Sequence, residues 1–286
     1  MKNILIATDF SENAAHAAAY GYRLAAKLQA NVLLCNAFMV PAELPEAGMV
    51  TWPMYEYDDL LEDGRQALHE LKTKIEHENN TDDYKPLVHC VNEAGPVVSV
   101  IDELVRKNRV AVTVIGTHGQ TGIGNYILGN HARQLINNST VPLLLVPAVA
   151  KMSPVKKIAF ATDFKQPEKD IDAIYELIAL IKPLNAELLI AHVHHEKENT
   201  AETKKKIDRF LTELSNKADY PNIYYRMVQS HKTENGLQWL YEHGNIDVFA
   251  MLHRRHNFLE SIIPGSYTQK IASEINIPLL VIPGKN

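Results

Sequence analysis

Five glycines and a histidine in GTHGQTGIGNYILGN, residues 116 to 130, carry the first chemical possibility in this chain. Gly116, Gly119 and Gly129 are spaced G-x2-G-x9-G. Glycine permits positive φ and lets the main chain approach a ligand with no Cβ in the way. Amides converging in such a turn, together with the free N–H groups and positive dipole end of a helix starting near Asn130, can hold an anion such as a phosphate. Asp9, expected at a neighbouring strand end, could hydrogen-bond a ribose or hold a metal on the phosphates. A glycine-rich surface loop with no ligand fits the same spacing, and spacing alone leaves both open. The stretch is neither a GK[ST] phosphate loop nor a GxGxxG following the first strand. His118 has no paired nucleophile in the sequence and is not read as catalytic.

A second group of chemically capable residues lies further on. His192, His194 and His253, with Asp163, fall at expected strand ends and form a candidate N/O set for zinc. Their spacing matches no closed zinc motif, and polar strand-end residues around a cleft are the plainer reading.

These residues need elements to position them. ILIATDF reads as a strand, Ser11 as a helix cap, and Ala15, Ala18, Ala19, Tyr22, Ala25 and Ala26 recur at helical spacing. NVLLCNAF follows as a second strand, residues 59–78 as a charged helix, PLVHCVNEAG as a third strand, and Pro96 opens a helix to about Asn108. VAVTVIG is a fourth strand, His131 to Asn138 a helix and VPLLLVP a fifth strand. Strands alternating with helices predict an α/β fold: a mainly parallel five-stranded sheet covered on both faces. Ligands of such sheets bind beyond the carboxyl ends of the strands, where strand order reverses. Thr8, Asp9, Asn36, Ala37 and Gly116 lie at such ends.

The pattern occurs twice. KNILIATDF at 2–10 returns as KKIAFATDF at 156–164, and VPLLLVP at 141–147 returns as IPLLVIP at 277–283. The expected division is a first domain at 1–149 and a second at 154–286, joined by the linker AVAKMSPVK. The first copy carries an insertion, MVPAELPEAGMVTWPMYEYDD, in which Trp52, Tyr55 and Tyr57 could close over a ligand, a simple surface flap or partner contact being the plainer reading. In the second copy Gly116 becomes Leu252, Gly119 becomes Arg255, Gly129 becomes Gly265 and Asn130 becomes Ser266. Leucine resists positive φ, so the second loop is expected to bind a nucleotide weakly or not at all. KKKIDRF at 204–210 is read as the solvated side of a helix.

Composition sets limits on function. A net charge of −5 argues against a sequence-independent grip on nucleic acid. Apolar runs are too short for a membrane span, and Cys35 and Cys90 read as two reduced core thiols. A soluble cytoplasmic protein is expected.

ATDFSENA after the first strand, VIGTHGQTGIGNYILGN after the fourth and VPLLLVP as the closing strand resemble the universal stress protein family, in a tandem two-domain form. The resemblance implies a Rossmann-like α/β domain, and in one branch of the family ATP binding through G-x2-G-x9-G followed by Ser or Thr. Carried over, Thr8 and Asp9 would meet the adenosine part and Ala37 the adenine pocket. Ile115, Gly116, His118, Gly119, Gly129, Asn130 and His131 would line the phosphate side, with or without magnesium. Asn130 departs from Ser or Thr. The family commonly pairs two domains through the closing strand, which implies an intramolecular pseudo-dimer here, with a homodimer of whole chains as a further option. Three functions follow: an ATP-binding stress-response or signalling protein without robust catalysis, a slow ATP hydrolase, or an interaction protein that binds no nucleotide.

Overall fold

Ile4, Leu5 and Ile6 have no solvent exposure at all, as a strand buried on both faces requires. The structure, a computed structural model, describes residues 2–39, 54–79, 84–117, 129–194, 201–253 and 276–284. Two units divide the chain: Met1–Gly116 with Asn130–Val141, and Thr117–Gly129 with Pro142–Asn286.

The first unit runs β1 (Asn3–Ala7), α1 (Glu12–Leu28), β2 (Asn31–Phe38), α2 (Met54–Glu78), β3 (Val88–Ala94), α3 (Val97–Lys107), β4 (Val110–Gly116) and α4 (Asn130–Asn138). Its strands lie in the order β3-β2-β1-β4, all parallel. The chain moves outward from β1 to β3 and then returns past β1 to β4. Right-handed crossovers therefore put α1 and α2 on one face and α3 on the other. Accordingly, α1 packs beside α2, and α3 beside α4.

Local sequence explains the helix ends. Ser11 Oγ accepts the Ala14 amide at 3.2 Å as the cap of α1, and Gln29 closes the helix in a left-handed conformation at φ 51°. The alanine stripe lets α1 lie close on the sheet, and Gly21 sits where a Cβ would come within 2.8 Å of Ile6 Cδ1. Helix α2 starts at Met54, earlier than the predicted residue 59, so part of the predicted insertion is helical. Pro96 stands just before α3, at its cap position.

The second unit contains β5 (Leu143–Val146), β6 (Lys157–Ala161), α5 (Pro167–Ile181), a 3-10 turn at Lys182–Leu184, β7 (Glu187–His194), α6 (Ala201–Lys217), β8 (Ile223–Gln229), α7 (Thr233–His243), β9 (Val248–His253) and β10 (Leu279–Pro283). Its order is β5-β10-β9-β6-β7-β8. Among the described residues of this unit, the antiparallel pair is β5–β10, with Leu145 opposite Leu279 and Leu143 opposite Val281. The strand VPLLLVP, counted by sequence in the first repeat, thus forms its ladder with the last strand of the second. On α6, Lys204, Lys205 and Lys206 are exposed while Ile207 and Phe210 are buried, as the KKKIDRF stretch predicts.

Candidate functional site

In the first unit the strand order reverses between β1 and β4, and the candidate residues meet there. Thr8 is buried and its amide donates to the Cys35 carbonyl at 2.8 Å, continuing the β1–β2 ladder one residue beyond the strand. Its hydroxyl accepts the Phe10 amide at 3.0 Å. That bond supports Phe10 at φ 63°, a region costly for a bulky side chain. The chain turns sharply outward as a result and leaves Asp9 exposed at the mouth. Asp9 Oδ1 accepts from the Ser11 amide at 3.1 Å and from the Ser11 hydroxyl at 2.6 Å. Among the described residues, Asp9 Oδ2 has no hydrogen-bond partner. One carboxylate oxygen is thus fixed while the other faces solvent, a suitable acceptor for a ligand hydroxyl.

Asn36, expected at a strand end, is central to this corner. It is buried, and its Nδ2 donates to the Thr8 carbonyl at 2.8 Å, tying the end of β2 to the turn after β1. Ala37 follows at the strand end, half-buried. A polar residue at the end of an otherwise apolar strand was the available signal, because His192 occupies the matching place on β7.

Gly116 ends β4, and Ile115 before it is buried. A Cβ on Gly116 would lie 2.8 Å from the Asn13 carbonyl oxygen and 3.2 Å from the Ala14 amide nitrogen. The first turn of α1 therefore comes so close to the end of β4 that no side chain fits. This is a packing reason for the first glycine of the motif, independent of any ligand. His118 and Gly119 lie outside the described residues. Gly129 is half-buried, and Asn130 and His131 are exposed on the first turn of α4.

The second unit repeats the corner with different side chains. The Phe164 amide donates to Thr162 Oγ1 at 3.0 Å, with Phe164 at φ 53°. His192 Nδ1 lies 2.9 Å from the Thr162 carbonyl oxygen, where Asn36 stands in the first unit. Thr162 Oγ1 also donates to Asp170 Oδ2 at 2.7 Å, a buried pair that the sequence reading missed. Asp163 Oδ1 accepts the Lys165 amide at 3.0 Å, and its Oδ2 lies 3.7 Å from Lys165 Nζ. Phe164 is buried, its ring 5.0 Å from His192 and edge-on to Phe210 at 4.9 Å. Phe10 at the equivalent place is 37% exposed. The second corner is thus filled by its own aromatic side chains.

The candidate metal set divides between the faces of this sheet. Ala161 is level with both Ala191 and Met251. Strand alternation then puts His192 and His194 on one face and His253 on the other. Among the described residues no group of three or more His, Cys, Asp and Glu side chains is arranged to hold a metal ion. Leu252, at the place of Gly116, is buried beside a cavity of about 30 Å³ lined by Lys169, Asp172, Ala173 and Glu176 of α5 with Pro283 and Gly284. Helix α5 leaves room for a leucine where α1 leaves room for none. Arg255, Gly265 and Ser266 lie outside the described residues.

The thiols differ from expectation. Cys35 is buried, and desolvation, with Glu93 nearby, pushes it up to about 12. Cys90 is exposed rather than a core thiol, because β3 is the outer strand of its sheet. Partial burial is the main cause raising its pKa.

An open, mainly parallel sheet with polar turns at a strand-order reversal defines a Rossmann-like α/β protein. A family model described as the universal stress protein family matches residues 1–147, about half of the chain, and the chain belongs to that family. It is 29% identical over 147 residues to a universal stress protein of Methanocaldococcus jannaschii, an alignment spanning 51% of this chain and 81% of that one. A universal stress protein structure from Archaeoglobus fulgidus superposes with a TM-score of 0.76 at 18% identity, covering 98% of both chains. A putative universal stress protein from Pseudomonas aeruginosa gives a TM-score of 0.64 at 13% identity, over 99% of this chain and 94% of that one. These two likenesses concern the fold. No described helix is long and apolar enough to cross a membrane.

Proposed function

We propose that the first repeat binds an adenine nucleotide, ATP with or without magnesium, beyond the ends of β1 and β4. The chain then acts as a soluble, cytoplasmic stress-response or signalling protein whose partners change with occupancy, rather than as an efficient catalyst. The observation that carries this reading is the Asp9 corner. One carboxylate oxygen is fixed by Ser11 and the other is open to solvent at the strand-order reversal. In this reading Thr8, Asp9 and Ala37 meet the adenosine part. Ile115, Gly116, His118, Gly119, Gly129, Asn130 and His131 frame the phosphates, with the exposed first turn of α4 offering amides and a positive dipole end. When bound, the nucleotide supplies a polyphosphate charge that the apo surface lacks.

The second repeat is proposed to have no comparable nucleotide site. Buried Phe164 fills its corner, and Leu252 replaces the first glycine. The antiparallel ladder between β5 and β10 supports pairing of the two closing strands as an intramolecular pseudo-dimer.

Isothermal titration of the full chain with ATP and magnesium tests the reading. Saturable heat is expected, together with a rise in Tm, because a ligand that binds only the folded state stabilises it. Asp9→Ala, in a protein with unchanged circular dichroism, should weaken binding at least tenfold, from the roughly 1.5–3 kcal/mol of a hydrogen bond to a charged group. Absence of both heat and thermal shift in the unaltered chain would overturn the proposal.

A further inference from the structure

A second concave feature of the first unit lies away from the Asp9 corner. It is a groove of about 530 Å³ between α2 and the outer side of β3, lined by Arg65, Leu68, His69 and Lys72 of the helix and by Val88 to Asn92 of the strand. Strand β3 ends its sheet, and among the described residues only β2 pairs with it. The Val32 amide donates to the Leu87 carbonyl and the Gly95 amide to the Phe38 carbonyl. Parallel pairing alternates along a strand, so the odd-numbered residues of β3 face β2 and the main-chain groups of Val88, Cys90 and Asn92 turn outward. The Val88 carbonyl accepts Lys72 Nζ at 3.1 Å. The polar groups of Cys90 and Asn92 are left along the groove.

Charge selects the occupant. Arg65, His69 and Lys72 recur at helical spacing on the face of α2 that overlooks the groove, and no acidic residue is among its lining. This is a local reversal in a chain of net charge −5. Outside the lining, Arg65 pairs with Glu62 at 3.7 Å and Lys72 with Glu76 at 4.0 Å. Such exposed pairs are weak and easily exchanged. A second copy docked edge to edge would oppose two like-charged stripes.

We propose that this groove receives an extended acidic peptide segment of a partner protein, which adds to β3 as a further strand. Main-chain bonds to Cys90 and Asn92 would supply the strand pairing. Alternate acidic side chains would meet Arg65, His69 and Lys72, and Leu68 would floor the groove.

The test is fluorescence polarisation of the full chain with a labelled peptide of alternating Glu and Val. Binding that falls with added salt is expected, along with slower alkylation of Cys90 when peptide is present. Arg65→Glu with His69→Glu should weaken the acidic peptide severalfold and admit its Lys–Val counterpart. A Glu–Val peptide N-methylated on its backbone amides keeps its charge but loses its amide donors in either strand direction, and it should fail on the unaltered chain. That comparison stands even where the double variant does not fold. Three outcomes would each overturn the proposal: no binding of the acidic peptide, equal binding of the N-methylated peptide, or self-association that shields Cys90 in place of the peptide.

Discussion

Thr8 and Thr162 each commit a hydroxyl to the amide two residues on, and each holds the intervening turn with a phenylalanine at positive φ. The same backbone strain serves different surroundings, since Phe10 is 37% exposed while Phe164 packs on His192 and Phe210. Removing the two rings should therefore have unequal consequences. Phe164→Ala is expected to cost about 3–5 kcal/mol, as for a large buried aromatic, and Phe10→Ala well under half of that. Urea unfolding of the two variants checks the order, and equal costs would contradict the packing difference. At this scale the sequence exposed the Thr-Asp-Phe corner through its repetition. It placed Asn36 at a strand end but did not expose its bond to the Thr8 carbonyl, because a side-chain bond to a neighbouring strand leaves no periodic trace. Gly116 was legible as a position that excludes a Cβ, but the excluding group, the first turn of α1, was not.

Between elements, the contact of α2 with β3 depends on an absence. Gly64 lies where a Cβ would come within 2.2 Å of Asn92 Nδ2. That nitrogen donates to the Leu61 carbonyl at 2.9 Å, so strand and helix are joined through the notch. In an exposed helix, Gly→Ala would stabilise by about 1 kcal/mol. Here Gly64→Ala should destabilise by about 1–3 kcal/mol, because a hydrogen-bonded side chain must move. Adding Asn92→Ala should recover part of the loss, and a double-mutant cycle in urea measures that coupling. Most element types were readable from hydrophobic period, as α1 and the central strands attest. The start of α2 was not, since the neighbouring prolines and aromatics of the insertion read as loop. Cys90 shows a second limit: an apolar run announces a strand but not whether that strand is central or outermost.

For the molecule as a whole, duplication made the architecture legible. Two copies of the same strand–turn sequence and of the same closing strand predicted an α/β fold repeated in tandem, and the strand order β3-β2-β1-β4 recurs as β8-β7-β6-β9. What the repeat period could not convey is the allegiance of Leu143–Val146. By position it completes the first copy, and its antiparallel ladder is with Leu279–Val281 of the second.

A shortened polypeptide stopping at residue 149, the natural place to cut by homology, would carry that four-residue ribbon away from the neighbour it zips against. Its fully apolar flank would then meet water unshielded, and unshielded flanks of this kind recruit one another. Light scattering of the shortened form should report particles heavier than a monomer, and Leu144→Lys should disperse them. A well-behaved monomer before that change would mean the ribbon has found shelter within its own half.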